Sequence, residues 1–129
     1  MGAIVTVVAF LQLTTIIVED YDDAIAFFTR ALGFELAEDS PARTNDGRPK
    51  RWVVVRPPGG QTGILLARAD GDHQLAALGN QHAGQVGFFL RVDDFDTSYQ
   101  RMKAAAVGLP WMGKRPLLAS WSRPAAPCG

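Results

Sequence analysis

A strand-forming run that ends in two acids, an aromatic residue and a third acid, followed by an apolar-periodic helix, occurs twice in this chain at one constant offset. Val18, Glu19, Asp20, Tyr21 and Asp22 correspond to Val92, Asp93, Asp94, Phe95 and Asp96. In the first copy, residues 4–18 are rich in Val, Ile and Thr, whose branched side chains suit a pleated surface. Asp20 is placed to accept hydrogen bonds from the first turn of a helix, and the acids beside it complement the helix dipole. Tyr21, Ala24, Ile25, Phe28, Ala31 and Leu32 then share one helical face, and Gly33 supplies the residue that ends the helix. The second copy predicts a strand over 85–92 and a helix over 94–107. Its apolar stripe is Phe95, Tyr99, Met102 and Ala106, and Gly108 closes it. A doubled strand–helix unit restricts the chain to α+β architectures with two related halves.

Between the copies the chain changes period. Residues 34–39 read as a short strand and 40–49 as a turn-rich loop around Asn45-Asp46-Gly47. A second strand spans 51–56, a tight turn falls at Pro57-Pro58-Gly59-Gly60, and a third strand covers 62–68. The first unit is therefore β-α-β-β-β over 12–68. Residues 69–84 read as a linker with one helical turn near 74–78. An incomplete second unit follows at 85–108, then an atypical tail at 109–129.

Composition narrows the function classes. Thirteen basic side chains balance thirteen acidic ones, which gives no electrostatic reason to expect nucleic acid or an anionic membrane as partner. The opening run lacks a basic flank and is interrupted by Gln12, Thr14 and Thr15, so it reads as strand and not as a targeting or spanning segment. One cysteine, Cys128, allows no internal disulfide, and a cytoplasmic location is expected.

The stretches "VEDYDDAIAFFTRALGFEL" at 18–36, "RWVVVRPPGG" at 51–60 and "GFFLRVDDFDTSYQRMKAAAVG" at 87–108 resemble the vicinal oxygen chelate superfamily. That superfamily includes glyoxalase I, extradiol dioxygenases, fosfomycin-modifying enzymes and bleomycin-binding resistance proteins. The resemblance implies paired βαβββ modules whose curved mixed sheets surround a cavity. In metal-dependent members a divalent ion sits there on His, Glu or Gln side chains. The corresponding first-strand positions here are Leu13 and Gly87, and a later-strand position falls at Ile64 or Leu65. None of these side chains binds a metal. His73 and His82 fall in the linker and read as loop histidines. No phosphate-binding glycine loop and no Ser-His-Asp context can be read, and catalytic residues are left unassigned.

The expectation is a metal-independent protein that binds a small aromatic or acidic molecule, with no cofactor. Leu13 and Thr15 from the first strand, Trp52, and Phe89 and Arg91 from the second unit are the candidate ligand-binding residues. Core packing is the competing role for Trp52 and Phe89, and a rim ion pair for Arg91. Two alternatives stay open: a glyoxalase- or dioxygenase-like lyase or oxygenase with a divalent metal, and an inactive remnant. The tail lacks the acidic strand and "Y-G-N" turn with which family members usually end, and its usage resembles a shifted reading frame. A second unit that stops after one strand exposes a sheet edge, so a homodimer is expected. Trp111, Leu117, Leu118 and Trp121 are the competing cover for that edge.

Overall fold

The computed structural model describes residues 9–106. Expectations for residues 4–8 and for the tail, including Gly108, Trp111, Leu117, Leu118, Trp121 and Cys128, lie outside them. The elements are β1 (Leu13–Val18), α1 (Tyr21–Ala26) continuing as a π-helical segment (Phe27–Ala31), β2 (Glu35–Arg43), β3 (Pro49–Arg56), β4 (Gly63–Arg68), α2 (Gly71–Ala77) and α3 (Phe95–Ala106). The β-α-β-β-β order expected for the first unit is present. The four strands make one curved, unclosed mixed sheet in the order β1-β4-β3-β2. β1 runs parallel to β4, with Leu13 beside Gly63 and Val18 beside Arg68. β4 and β2 each run antiparallel to β3.

The helix starts where its cap dictates. The Asp20 carboxylate accepts from the Asp23 backbone N–H at 2.8 Å, and Asp94 repeats the arrangement, accepting from the Thr97 N–H at 3.1 Å and its hydroxyl at 2.9 Å. At the far end Gly33 takes φ +70°, and the Phe34 N–H returns to the Phe28 carbonyl at 2.9 Å. The last carbonyls of a helix lack intrahelical donors. Here Arg101 of α3 supplies them, donating to the Arg30 carbonyl at 2.8 Å and the Thr29 carbonyl at 3.5 Å. That contact and buried Met102 dock the second helix on the first.

One face of the sheet is covered by this helix. Ile16, Val18, Val53, Val55 and Leu66 from the strands meet Tyr21, Ala24, Phe27, Phe28 and Ala31 in a single core, with Val53, Val55 and Leu66 at 0% exposure. Phe27 is buried although a regular helix places it beside the apolar stripe. From Phe27 to Ala31 the winding is π-helical, and Phe27, Phe28 and Ala31 all reach the core. The Thr29 hydroxyl donates back to the Ile25 carbonyl at 2.8 Å in the same turn.

Two expectations are corrected. Residues 40–49 were expected to be loop, but β2 continues to Arg43 and β3 begins at Pro49, leaving a hairpin in which the Thr44 N–H donates to the Arg48 carbonyl at 2.8 Å. Ser40 and Pro41 look like turn residues, yet β2 is an edge strand, where a proline's missing N–H need not cost a ladder bond. Residues 85–92, expected as a strand, pair with no strand among the described residues. A strand needs a hydrogen-bonded neighbour, and the free β1 edge is already engaged by a side chain of the linker, as detailed below. The linker's single expected turn is the short helix α2, and the second helix forms over Phe95–Ala106.

Phe27 is the largest side chain in the fully buried set. Phe27→Ala is expected to lower unfolding stability by about 3–5 kcal/mol, measured by urea titration; a loss below about 1 kcal/mol would show that the π-helical turn relaxes and refills the space.

Candidate functional site

Side chains alternate across a strand, so the residues that build the core also define the opposite face. Because Ile16, Val18, Val53, Val55, Ile64 and Leu66 pack toward the helix, Leu13, Thr15 and Ile17 of β1 point the other way. So do Gly63, Leu65 and Ala67 of β4 and Lys50, Trp52, Val54 and Arg56 of β3. The ladder aligns these into cross-strand rows: Thr15 beside Leu65 beside Val54, and Leu13 beside Gly63. Across the hairpin, β2 adds Glu35 opposite Arg56, Glu38 opposite Val54 and Ser40 opposite Trp52, the register shifting between Leu36 and Glu38. The result is an apolar floor from Leu13 to Trp52 with polar groups on its β2 side.

Gly63 shapes the floor. A Cβ at that position would lie 2.8 Å from Val54 Cγ1 and 3.1 Å from Leu13 Cδ2, so those two side chains close over the glycine. Trp52 is half-buried and Thr15 exposed. Of the five residues expected at the site, the structure brings Leu13, Thr15 and Trp52 to one face. Phe89 and Arg91 lie in the segment that is not a strand, both exposed, Phe89 at 90%.

The free edge of β1 borders this face. Gln12 and Val18 turn their carbonyls toward β4, accepting from Gly63 and Ala69, so Thr15 and Ile17 turn theirs outward. The Gln81 side chain occupies that edge as a neighbouring strand would: its Oε1 accepts from the Ile17 N–H at 2.7 Å and its Nε2 donates to the Thr15 carbonyl at 2.6 Å. Beyond Gln81 the linker folds on itself. The His82 ring meets Phe88 edge-on at 5.6 Å between centroids and lies against Gly87 where any Cβ would collide with it. This compact turn explains why 85–92 does not lie along β1. Gln81 escaped the sequence reading because one glutamine in a Gly-rich linker carries no periodic signal.

Most of the charged groups near the sheet are matched locally. On the helix side Arg51 donates to Asp39 at 2.6 and 3.1 Å and to Asp22 at 3.0 Å, with its guanidinium 5.1 Å from the centre of the Tyr21 ring. The hydrogen bond from Arg51 holds the Asp39 carboxyl below its ordinary pKa. At the hairpin Arg48 bridges Asp46 and Asp70, at 2.9 and 2.7 Å, and depresses both carboxyls; for Asp46 the Thr44 hydroxyl is the larger cause.

The positions where the resemblance implies metal donors hold Leu13, Ile64 or Leu65, and Gly87, with no nitrogen or oxygen donor in any side chain. Among the described residues no three His, Cys, Asp or Glu side chains gather closely enough to hold an ion. His73 lies in α2, and the His82 ring packs against Phe88. These residues do not fit a divalent metal centre of the family type, and the lyase or oxygenase reading finds no donor set in them.

The model of the Glyoxalase/Bleomycin resistance protein/Dioxygenase superfamily matches residues 10–109. The chain belongs to this superfamily. An uncharacterised protein of Shewanella frigidimarina (strain NCIMB 400) is 46% identical over 89 residues, 68% of this chain. The chain spans only 64% of that curated relative's length. Among solved structures, UcmS2 is similar with a TM-score of 0.56 and 28% identity, over 75% of this chain and 74% of the other. TnmS3, described as an antibiotic binding protein from Streptomyces sp. CB03234, has a TM-score of 0.55 and 26% identity, over 77% of this chain and 72% of its own. The glyoxalase-type module is thus common to all of them, while the reaction or ligand depends on the side chains each presents. No helix among the described residues is long and apolar enough to cross a membrane.

Gln81→Ala is expected to speed amide hydrogen exchange at Ile17 by about tenfold, reflecting one lost hydrogen bond of about 1 kcal/mol, while Ile16 and Val18 stay protected by β4. Unchanged exchange at Ile17 would mean that the Gln81 amide does not hold the edge in solution.

Proposed function

We propose that this chain binds a small aromatic or acidic organic molecule without a metal ion, on the open face of its sheet. One observation carries the reading: Leu13, Thr15 and Trp52 stand on the same face with Val54 and Leu65, opposite the helix-covered core. An apolar floor with one half-buried Trp offers area for stacking and van der Waals contact, and polar groups at its margin set orientation. The similarity to TnmS3, described as an antibiotic binding protein, supports a binding role for this module type. With no cysteine pair available for a disulfide, a reducing cytoplasm suits the chain.

The test is a fluorescence anisotropy titration with fused-ring aromatic acids and amides, before and after chelator treatment. Trp52→Ala is expected to weaken binding by about tenfold or more, as loss of a buried aromatic contact does, and chelator is expected to leave affinity unchanged. Affinity that survives Trp52→Ala, or that disappears with chelator, would overturn the reading.

The segment outside the sheet argues for self-association. Val86, Phe88, Phe89 and Leu90 are each exposed, between 41% and 90%, and exposed apolar surface gathered in one segment favours an interface. A homodimer is expected by light scattering at micromolar concentration; a monodisperse 14.0 kDa particle would exclude it.

A further inference from the structure

Two basic side chains stand on the open face, Lys50 and Arg56, at opposite ends of the β3 row that contains Trp52 and Val54. Arg68 at the end of β4 is exposed and has the parity of the helix-covered side, and three other arginines near the sheet have oxygen partners. Arg48 and Arg51 are held by carboxylates, and Arg43 donates to the Gly47 carbonyl at 3.0 Å. Arg56 differs: it is half-buried, and its guanidinium takes part in none of the hydrogen bonds or ion pairs of the described residues. Glu35 is its register partner across the hairpin, yet no ion pair joins them. Glu35 is exposed and stays hydrated. Glu38, also exposed, accepts from the Ser40 hydroxyl at 3.2 Å. A guanidinium carries five donors and no acceptor, so one without an anion beside an apolar floor can hold a bound carboxylate in bidentate form.

Position fixes the shape of such a ligand. Arg56 lies four residues from Trp52 on the same face, about 13 Å along the strand, and its stem shortens the span to the charged group. Val54 forms the floor between them. Beside Arg56 the row continues through Gly63 to Leu13, and the Val54 and Leu13 side chains close over the glycine. We infer that Arg56 is the specificity-determining residue of the open face, and that the ligand is a fused-ring aromatic carboxylate stacked near Trp52 with its acid group on Arg56. This rests on the binding reading above and replaces Arg91 as the expected acid contact, since Arg91 is exposed on the segment outside the sheet.

The experiment compares anthracene-2-carboxylate with its neutral isostere, anthracene-2-carboxamide, by fluorescence anisotropy on the full chain and its variants. Arg56→Ala is expected to weaken the carboxylate by about tenfold or more and leave the amide within about twofold. Arg56→Lys, which keeps the charge but not the fork, should give an intermediate loss for the acid alone. Arg91→Ala should change neither. Thermal melts matching the parent chain establish that each variant is folded, and Arg56→Lys carries the test if the alanine variant is not. Equal effects of Arg56→Ala on acid and amide, or an acid-specific loss that follows Arg91 instead, would overturn the assignment. If both compounds bind equally to the parent chain and both are lost in Trp52→Ala, the binding reading stands and the Arg56 assignment falls. If neither binds the parent chain, the binding reading falls and the assignment with it.

Discussion

Parallel pairing of Leu13–Val18 with Gly63–Arg68 sets the first and last strands of the unit side by side, and the helix that leaves β1 lies across one face of the sheet so formed. Phe27, Phe28 and Ala31 then close on Val53, Val55 and Leu66. Everything on the other face is decided by that burial, because a one-residue slip in any strand would exchange the two sets of side chains. The core therefore fixes the site without touching it: Leu13, Thr15 and Trp52 are left outward by the same alternation that turns Ile16 and Val53 inward.

The ends of the helix show how two halves of the chain are tied together at small cost. Asp20 and Asp94 cap their helices in the same way, so each start is specified locally. The end of the first helix is different. Its last carbonyls are met by Arg101, far along the chain, which also crowds Gly33. A solvent-exposed arginine in a later helix thus serves as the C-terminal cap of an earlier one. The edge of β1 is met by Gln81 in a comparable way, a side-chain amide standing where a strand's backbone would. In both places a polar side chain supplies hydrogen bonds that a backbone end or edge lacks, which is what an incompletely paired unit requires.

Membership of the glyoxalase and bleomycin resistance superfamily accounts for the scaffold, and the side chains account for what distinguishes this chain. The positions where the resemblance implies metal donors are Leu13, Ile64 or Leu65, and Gly87 here. The charges are also distributed unevenly. Arg48 and Arg51 are fully engaged at the hairpin and on the helix side, where they clamp Asp46, Asp70, Asp39 and Asp22. Arg56, on the open side of the same strand as Arg51, is not. Strand parity alone separates a structural arginine from one with free donors.

The caps, the helix, the Gly33 stop, the β-α-β-β-β order and the family were legible in the sequence, because each rests on short-range chemistry: periodicity over a few turns, a carboxylate next to free N–H groups, a glycine at positive φ. Local signals misled where a neighbour in space outweighs them. Pro41 reads as a turn residue and sits in an edge strand, because only the sheet order shows that its nitrogen has no partner to lose. Phe27 lies outside the expected stripe and is buried, because the sheet supplies Leu66 and Val53 for it to pack with. Residues 85–92 have the composition of a strand but not its partner, since Gln81 holds the β1 edge and His82 rests on Gly87. The sequence by itself determined which residues prefer strand or helix and which are apolar. Only the tertiary structure decided which face Trp52 shares with Leu13 and Thr15, and that Arg56 stands on it with open donors, because register and edge pairing are made between residues far apart in the chain.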